Sequence, residues 1–340
     1  MNENSAARLQ QLLGYLESDP HNSRLADEIV DLALENGDTA IARRVLAVRH
    51  LSGPENAQSR YRMAVLLNME GRLHDSLEVT KGLIESGHNH CAIARQHGLT
   101  LFGLKQYADA ARVFEMLGNM LHEVPDATAW AVRALHHDGQ LGRATDIAQT
   151  HLQQHPDDTA VMGMLSLLYL DQDDLAAAAK FSAQTLATAP GNPDALLAGG
   201  AAALAMEQTG TARELFERAA AGSPGNGRAI LGLGMVAMLA QQLPLARTYL
   251  EQTVVLLPTH LGSWNALAWL QILAGELDAA QKTLEQAMTI DRNFAETHGA
   301  MAVVAVSRGE LGQARRFAEI ALRLQPQSVS ARYASSLIAQ

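Results

Sequence analysis

Residues 190–227 read PGNPDALLAGGAAALAMEQTGTARELFERAAAGSPGNG. Pro190 and Pro224 stand 34 residues apart, and two apolar-rich stretches run between them, parted by Glu207-Gln208. The same spacing extends outward in both directions. Pro20, Pro54, Pro156, Pro258 and Pro326 are separated from this pair, and from one another, by multiples of 34. A fixed period of this size is the mark of stacked helical repeats, in which each unit buries its apolar face only against its neighbours.

With these prolines at position 32, repeats start at Ser23, Ala57, Cys91, Pro125, Thr159, Pro193, Gly227, Leu261 and Ala295, and nine gapless units fill residues 23–328. Position 20 reads Ala42, Ser76, Ala110, Ala144, Ala178, Ala212, Ala246, Ala280 and Ala314, so nothing larger than serine stands there. Position 8 is nearly as restrained, with Gly98, Gly200 and Gly234 among alanine, serine and valine. Small residues at both places predict close approach of two helix backbones. Gly37, Gly71, Gly139, Gly275 and Gly309 share position 15, where a left-handed residue ends a helix. Each unit is therefore expected to hold a helix A over positions 1–14, a tight turn, and a helix B to about position 29. Pro125 and Pro193 are expected to open a helix A and Pro244 a helix B, where the missing N–H costs nothing.

Small residues at 8 and 20, glycine near 15 and proline at 32 resemble the tetratricopeptide repeat. The resemblance implies an all-α fold, a right-handed superhelical α-solenoid of nine 34-residue helix-turn-helix repeats. Departures are local: position 4 carries tryptophan only as Trp264, position 27 holds Arg49, Leu83 and His151, and position 32 becomes His88, His122 and Arg292. Residues 1–22, with Leu9, Leu12, Leu13 and Leu16, are expected to form an N-terminal capping helix over repeats 23–328. Residues 329–340, with Tyr333, Leu337 and Ile338, are expected to form the C-terminal one.

Aromatics make up 4% of a chain that is 48% hydrophobic, so the core is built from alanine, leucine, valine and methionine. A formal net charge of −10 argues against a nucleic-acid partner, which calls for a basic face. Cys91 is the single cysteine, so no intramolecular disulfide forms. The polar start Met1-Asn2-Glu3-Asn4-Ser5 lacks the positive residues and apolar stretch of a secretory leader, so none is expected. The longest apolar-rich windows, such as Leu196–Met206, are too short to insert in a membrane. A cytoplasmic protein is expected, and the wording of the sequence leans bacterial.

On helix A, positions 2, 5, 9, 12 and 13 share a stripe apart from the packing positions 4, 7, 8 and 11. The resemblance implies that this stripe lines the concave groove where partners lie. Repeat 1 is acidic there, through Asp27, Asp31 and Glu35 beside Glu28. Repeats 2–4 are polar and basic, with Tyr61, Arg95, Phe102, Arg133, His136 and His137, joined by Arg62, Gln96 and Trp130 at position 6. Repeats 5–9 turn apolar, through Leu167, Leu170, Leu197, Leu204, Leu231, Met235, Met238, Leu239, Trp269, Ile272, Leu273, Val303 and Val306, with Met164 adjoining. Left to water, such a set exceeds the few hundred Å² of apolar patch that soluble monomers show. The groove is expected to take an apolar or amphipathic segment of a client polypeptide, and the basic zone its acidic or C-terminal groups.

Catalytic signatures do not survive placement on the repeat. Gly232-Leu233-Gly234-Met235-Val236-Ala237 fits a dinucleotide pattern but lies within a helix A, not after a strand. Asp171-Gln172-Asp173-Asp174 lacks the downstream ligands of a calcium loop. Eleven of thirteen histidines precede residue 159. His88-x-His90-Cys91 with His97 offers zinc ligand types, but His97 holds a packing position and the others sit in a link, so no metal, cofactor or catalytic residue is expected. The lysine–asparagine clamp of some tetratricopeptide proteins is matched only by Asn265. The expected function is a non-catalytic adaptor or chaperone-like scaffold. A self-associating homodimer is the second reading, and a regulatory region of a larger glycosyl- or sulfotransferase the third.

Overall fold

The computed structural model describes residues 3–52, 56–120 and 122–339. Among them are twenty α-helices, one 3₁₀ turn and no strand. The chain divides into two compact units, Met1–Leu168 and Tyr169–Gln340.

In the first unit, α1 (Glu3–Ser18) precedes the pairs α2 (Ser23–Glu35) and α3 (Thr39–Ser52), α4 (Ala57–Met69) and α5 (Leu73–Glu85), α6 (Cys91–Gly103) and α7 (Tyr107–Leu117), and α8 (Ala127–His137) and α9 (Leu141–Gln154). Helix α10 (Thr159–Asp171) carries the chain across the boundary. The second unit stacks α11 (Leu175–Thr188), α12 (Pro193–Ala205), α13 (Thr209–Gly222), α14 (Gly227–Leu239), α15 (Leu243–Leu256), α16 (Leu261–Leu273), α17 (Leu277–Ile290), α18 (Ala295–Ser307), α19 (Leu311–Leu324) and α20 (Val329–Ile338). Each is an α-solenoid of helix–turn–helix repeats, as the 34-residue period requires.

The residue before each helix A is commonly a side-chain cap. Asn22, Asn56, Asn192 and Asn226 Oδ1 accept the N–H three residues on, at 3.0, 2.8, 2.9 and 3.2 Å. Such caps satisfy donors that helix ends leave orphaned. Pro193 and Pro244 do open α12 and α15. Pro125 does not open α8, which starts at Ala127. Here α7 stops early, a 3₁₀ turn (Gly118–Met120) follows, and Asp126 makes no side-chain cap.

Position 15 is left-handed in every repeat. Five glycines there have φ between 74° and 79°, and where glycine is missing Lys105, Asp173, Glu207 and Gln241 take φ of 57–61°. The turn geometry thus overrides residue preference, which for a side chain with a Cβ costs about 1–2 kcal/mol.

Every position 20 residue is fully buried. In the second unit, Phe216 of α13 lies between Gly200 of α12 and Gly232 of α14. A Cβ at Gly200 would sit 2.8 Å from its ring, and one at Gly232 2.4 Å.

Both terminal helices cover core. Leu9 and Leu13 are buried against Ala26, Ile29 and Val30, with Leu12 and Leu16 half-buried beside them. At the other end, Leu337 and Ile338 pack on Ala302, Val303 and Ala318. Glu296 fixes that helix by accepting the Val329 and Ser330 N–H groups, both at 3.0 Å. Tyr333 stays largely exposed, its ring 6.0 Å from that of Trp269. Among the described residues, no helix is long and apolar enough to cross a membrane.

Two substitutions separate these constraints. Gln241→Gly and Glu207→Gly should each raise stability by about 0.5–1 kcal/mol, because relief of left-handed strain exceeds the added chain entropy. Gly232→Ala should instead lower it by about 1–2 kcal/mol, since overpacking against Phe216 outweighs the gain in helix propensity. The midpoint of urea unfolding, followed by circular dichroism, reads both.

Candidate functional site

The helix A stripe of the second unit presents its apolar side chains edge-on. Leu197, Leu204, Leu231, Met238, Trp269 and Ile272 are half-buried, with one flank on the core. Met235, Leu239 and Leu273 are 37%, 55% and 58% exposed, respectively. Leu170 and Val306 are half-buried. Met206, at position 14, is also exposed; it was not among the expected stripe residues and has the same apolar character.

Three expected groove residues are core instead. Met164, Leu167 and Val303 are 0%, 5% and 2% exposed. Val303 is taken by the terminal cap, where it joins Ala302, Ala318 and Ala334. Met164 and Leu167 lie in a run on α10 that is buried from Gly163 to Leu168.

The basic zone of the first unit is largely spent inside the fold. Arg62 is buried: its Nε and Nη2 donate to the two oxygens of Asp31 at 2.6 Å each, and Nη1 lies 3.0 Å from Asp27 Oδ1. These acids belong to the preceding repeat, so the arginine bolts α4 to α2 rather than awaiting a ligand. Arg95 grips Asp126 in the same way, with Nε donating to Oδ1 at 3.0 Å and Nη2 to Oδ2. Trp130 Nε1 adds a bond to Asp126 Oδ2 at 3.1 Å. The Arg95 hydrogen bonds hold the Asp126 carboxyl below its ordinary range despite partial burial. The stability they supply is present above the ordinary aspartate pKa and is lost as pH falls through the lowered one. Tyr61 is half-buried, and burial raises its phenol.

Rings gather around Phe102. Its centroid lies 5.2 Å from Tyr107, 5.3 Å from Trp130 and 5.3 Å from His137. Arg133 lies over Trp130 at 5.9 Å, and His136 and His137 are 5.5 Å apart. Expected residues Trp130, Arg133, His136 and His137 are thus brought together on one helix, in contact with the neighbouring repeat.

A second polar cluster lies at the links. Cys91 Sγ donates to Glu123 Oε2 at 2.8 Å, and His122 Nε2 lies 3.2 Å from Glu123 Oε1. That thiol bond, first of all, pushes Cys91 up and holds Glu123 below the usual carboxylate range. Neither His97 nor His88 joins it: His97 bonds Thr80 Oγ1 at 2.9 Å, and His88 is an exposed link residue.

The residues missed by sequence reasoning are Asp126 and Glu123, together with the pairing of Asp27 and Asp31, which it placed in the groove, to Arg62. Their signal is a spacing. Arg62–Asp31 and Arg95–Asp126 are 31 apart, and Cys91–Glu123, Asn68–Thr100 and Asn265–Thr297 are 32 apart. One repeat less two or three residues carries a side chain to the facing position of the adjoining unit.

Stacked helix pairs with a stripe of unlike residues on their first helices define a helical-repeat scaffold. Family profiles for the tetratricopeptide repeat match residues 203–270 and 261–294. Residues 203–294 are thus tetratricopeptide repeats. Among solved structures the protein is similar to a chain of the APC/C hetero-tetramer Cut9-Hcn1, 16% identical with a TM-score of 0.67, over 94% of this chain and 63% of that one. It thus spans less than two thirds of that relative. It is also similar to the human IFIT1 dimer with m7Gppp-AAAA (14%, TM-score 0.64, over 92% of this chain and 79% of that one). A tetratricopeptide repeat protein from Parabacteroides merdae is 14% identical with a TM-score of 0.52, over 79% of this chain and all of that one. At these identities the likeness is one of fold. No curated protein matches the chain in sequence.

Arg62→Ala should destabilise the protein by about 2–3 kcal/mol, because it strands two acids, one of them largely sheltered. Arg62→Lys should recover less than half of this, having no fork to match Asp31. Thermal unfolding of the three proteins at one ionic strength measures the difference.

Proposed function

We propose that the chain is a non-catalytic interaction scaffold. On this reading it holds an apolar or amphipathic segment of another polypeptide along α12, α14 and α16. Tetratricopeptide proteins bind protein or peptide partners, which sets the class. The observation that carries the finer reading is the line of Met235, Leu239 and Leu273, each more than a third exposed beside half-buried Trp269 and Ile272. Packing within the unit does not use these flanks. Methionine suits them to an irregular guest.

Electrostatics favours a protein guest over RNA, whatever the fold likeness to a cap-bound neighbour. The net charge is −10, and Arg62 and Arg95 are already held by aspartates. An adaptor or chaperone-like role in the cell is the finer form of this reading. The basic anchoring zone of the sequence-based expectation is narrowed to the ring cluster of α6 and α8.

Trp269 has one flank in the core, so its replacement tests stability as much as binding. The informative variant is Met235→Glu with Leu239→Glu and Leu273→Glu. Proteins captured from the native cell by the tagged wild type should be lost at least tenfold with this variant, at unchanged circular dichroism. Equal capture by both would remove the groove from consideration. Light scattering at low concentration should show a monomer; a dimer dissociated by the same variant would assign the groove to a second copy.

A further inference from the structure

We infer that His90, Cys91 and Glu123 form a zinc site that ties two successive inter-repeat links together. One ligand atom from each lies within 4.8 Å of the others. His90 caps α6 and Cys91 is its first residue, while Glu123 stands in the link before α8. Three residue types that bind zinc therefore converge from two links 32 residues apart.

The distances suit a shared ion. Cys91 Sγ and His90 Nδ1 are 3.6 Å apart, and sulfur and nitrogen ligands at ordinary zinc bond lengths in a tetrahedron stand about 3.6 Å apart. Sγ and Glu123 Oε2 are 2.8 Å apart, so the carboxylate withdraws slightly to take its place. Nδ1 also accepts the Ala92 N–H, at a long 3.3 Å, a weak cap that a metal bond replaces. The thiol gives its proton to solvent on binding. His122 holds the other Glu123 oxygen at 3.2 Å, the kind of outer contact that orients a ligating carboxylate.

Packing does not ask for these residues. The position of Cys91 is filled elsewhere by Ser23, Ala57, Thr159 or Gly227. His122 replaces the proline that usually stiffens a link. A thiolate with an imidazole selects zinc over magnesium or calcium.

Cobalt(II) titrated alone into reduced, chelator-free protein should bind at one per chain, with a thiolate-to-cobalt charge-transfer band in the near ultraviolet. Zinc should bleach that band, and zinc should stay at one per chain after dialysis. Cys91→Ser, a residue that the fold accepts at Ser23, should abolish the band and weaken binding at least tenfold. Glu123→Gln should keep the band and weaken binding about tenfold. His88→Ala should change nothing. Wild-type protein with no near-ultraviolet band, or Cys91→Ser binding cobalt as tightly as wild type, would overturn the site. Far-ultraviolet circular dichroism confirms that each variant is folded.

Discussion

Everything in each unit follows from the contact of helix backbones across residues too small to hold them apart. Position 20 has no side chain beyond a methyl or hydroxymethyl group, and all nine residues there are fully buried. Where an aromatic ring enters this layer, as Phe216 does, glycines on both flanking helices make way. Interiors packed to crystal-like density leave no slack to move such a contact along the helix. The register is therefore fixed, and an insertion in a helix would break it for every unit that follows. This is why the 34-residue period is unbroken.

A fixed register turns sequence separation into spatial adjacency. Residues 34 apart are equivalent, and those 31 or 32 apart face each other across neighbouring first helices. The stripe proposed as a partner surface is thus also the seam between repeats, and its polar members must first satisfy each other. Arginine is well suited to that seam, since its planar fork meets a carboxylate in two bonds. Arg62 and Arg95 do this with Asp31 and Asp126. What the seam consumes is unavailable to a ligand. The apolar members of the second unit are consumed on one flank only, because a leucine or methionine is wide enough to pack and protrude together.

The fold was legible because its signals are local and repeated: Pro at 32, small residues at 8 and 20, glycine at 15. The left-handed turns at Lys105, Asp173, Glu207 and Gln241 show that the register predicts geometry even where the residue argues against it. Pro125 misled because a local rule was applied at a link where α7 had ended early. The site was less legible, since helical spacing tells which stripe a residue occupies but not how deeply its neighbours bury it. Val303 and Met235 share position 9, yet α20 covers the first and leaves the second exposed. Glu123 is illegible for a related reason: the chain neighbours of Cys91 include His88, His90 and His97, whereas the acid that meets its thiol lies across the repeat.

The link before α8 also explains why a metal belongs there. Most other links have proline on one side and a side-chain cap from asparagine, aspartate, serine or histidine on the other, the link before α18 with Arg292 and Phe294 having neither. This one has His122 in place of proline, and Asp126 makes no cap because Arg95 and Trp130 occupy its carboxylate. The preceding link likewise has His88 for proline and His90 for the amide cap, at a longer distance than Asn22 or Asn56 achieve. Two adjacent links thus lack the ordinary local restraints, and the zinc-binding side chains lie between them. An ion bridging His90, Cys91 and Glu123 would supply from outside the backbone the order that proline and a side-chain cap give most other links. Because it spans consecutive repeats, its effect would fall on their stacking more than on any single helix.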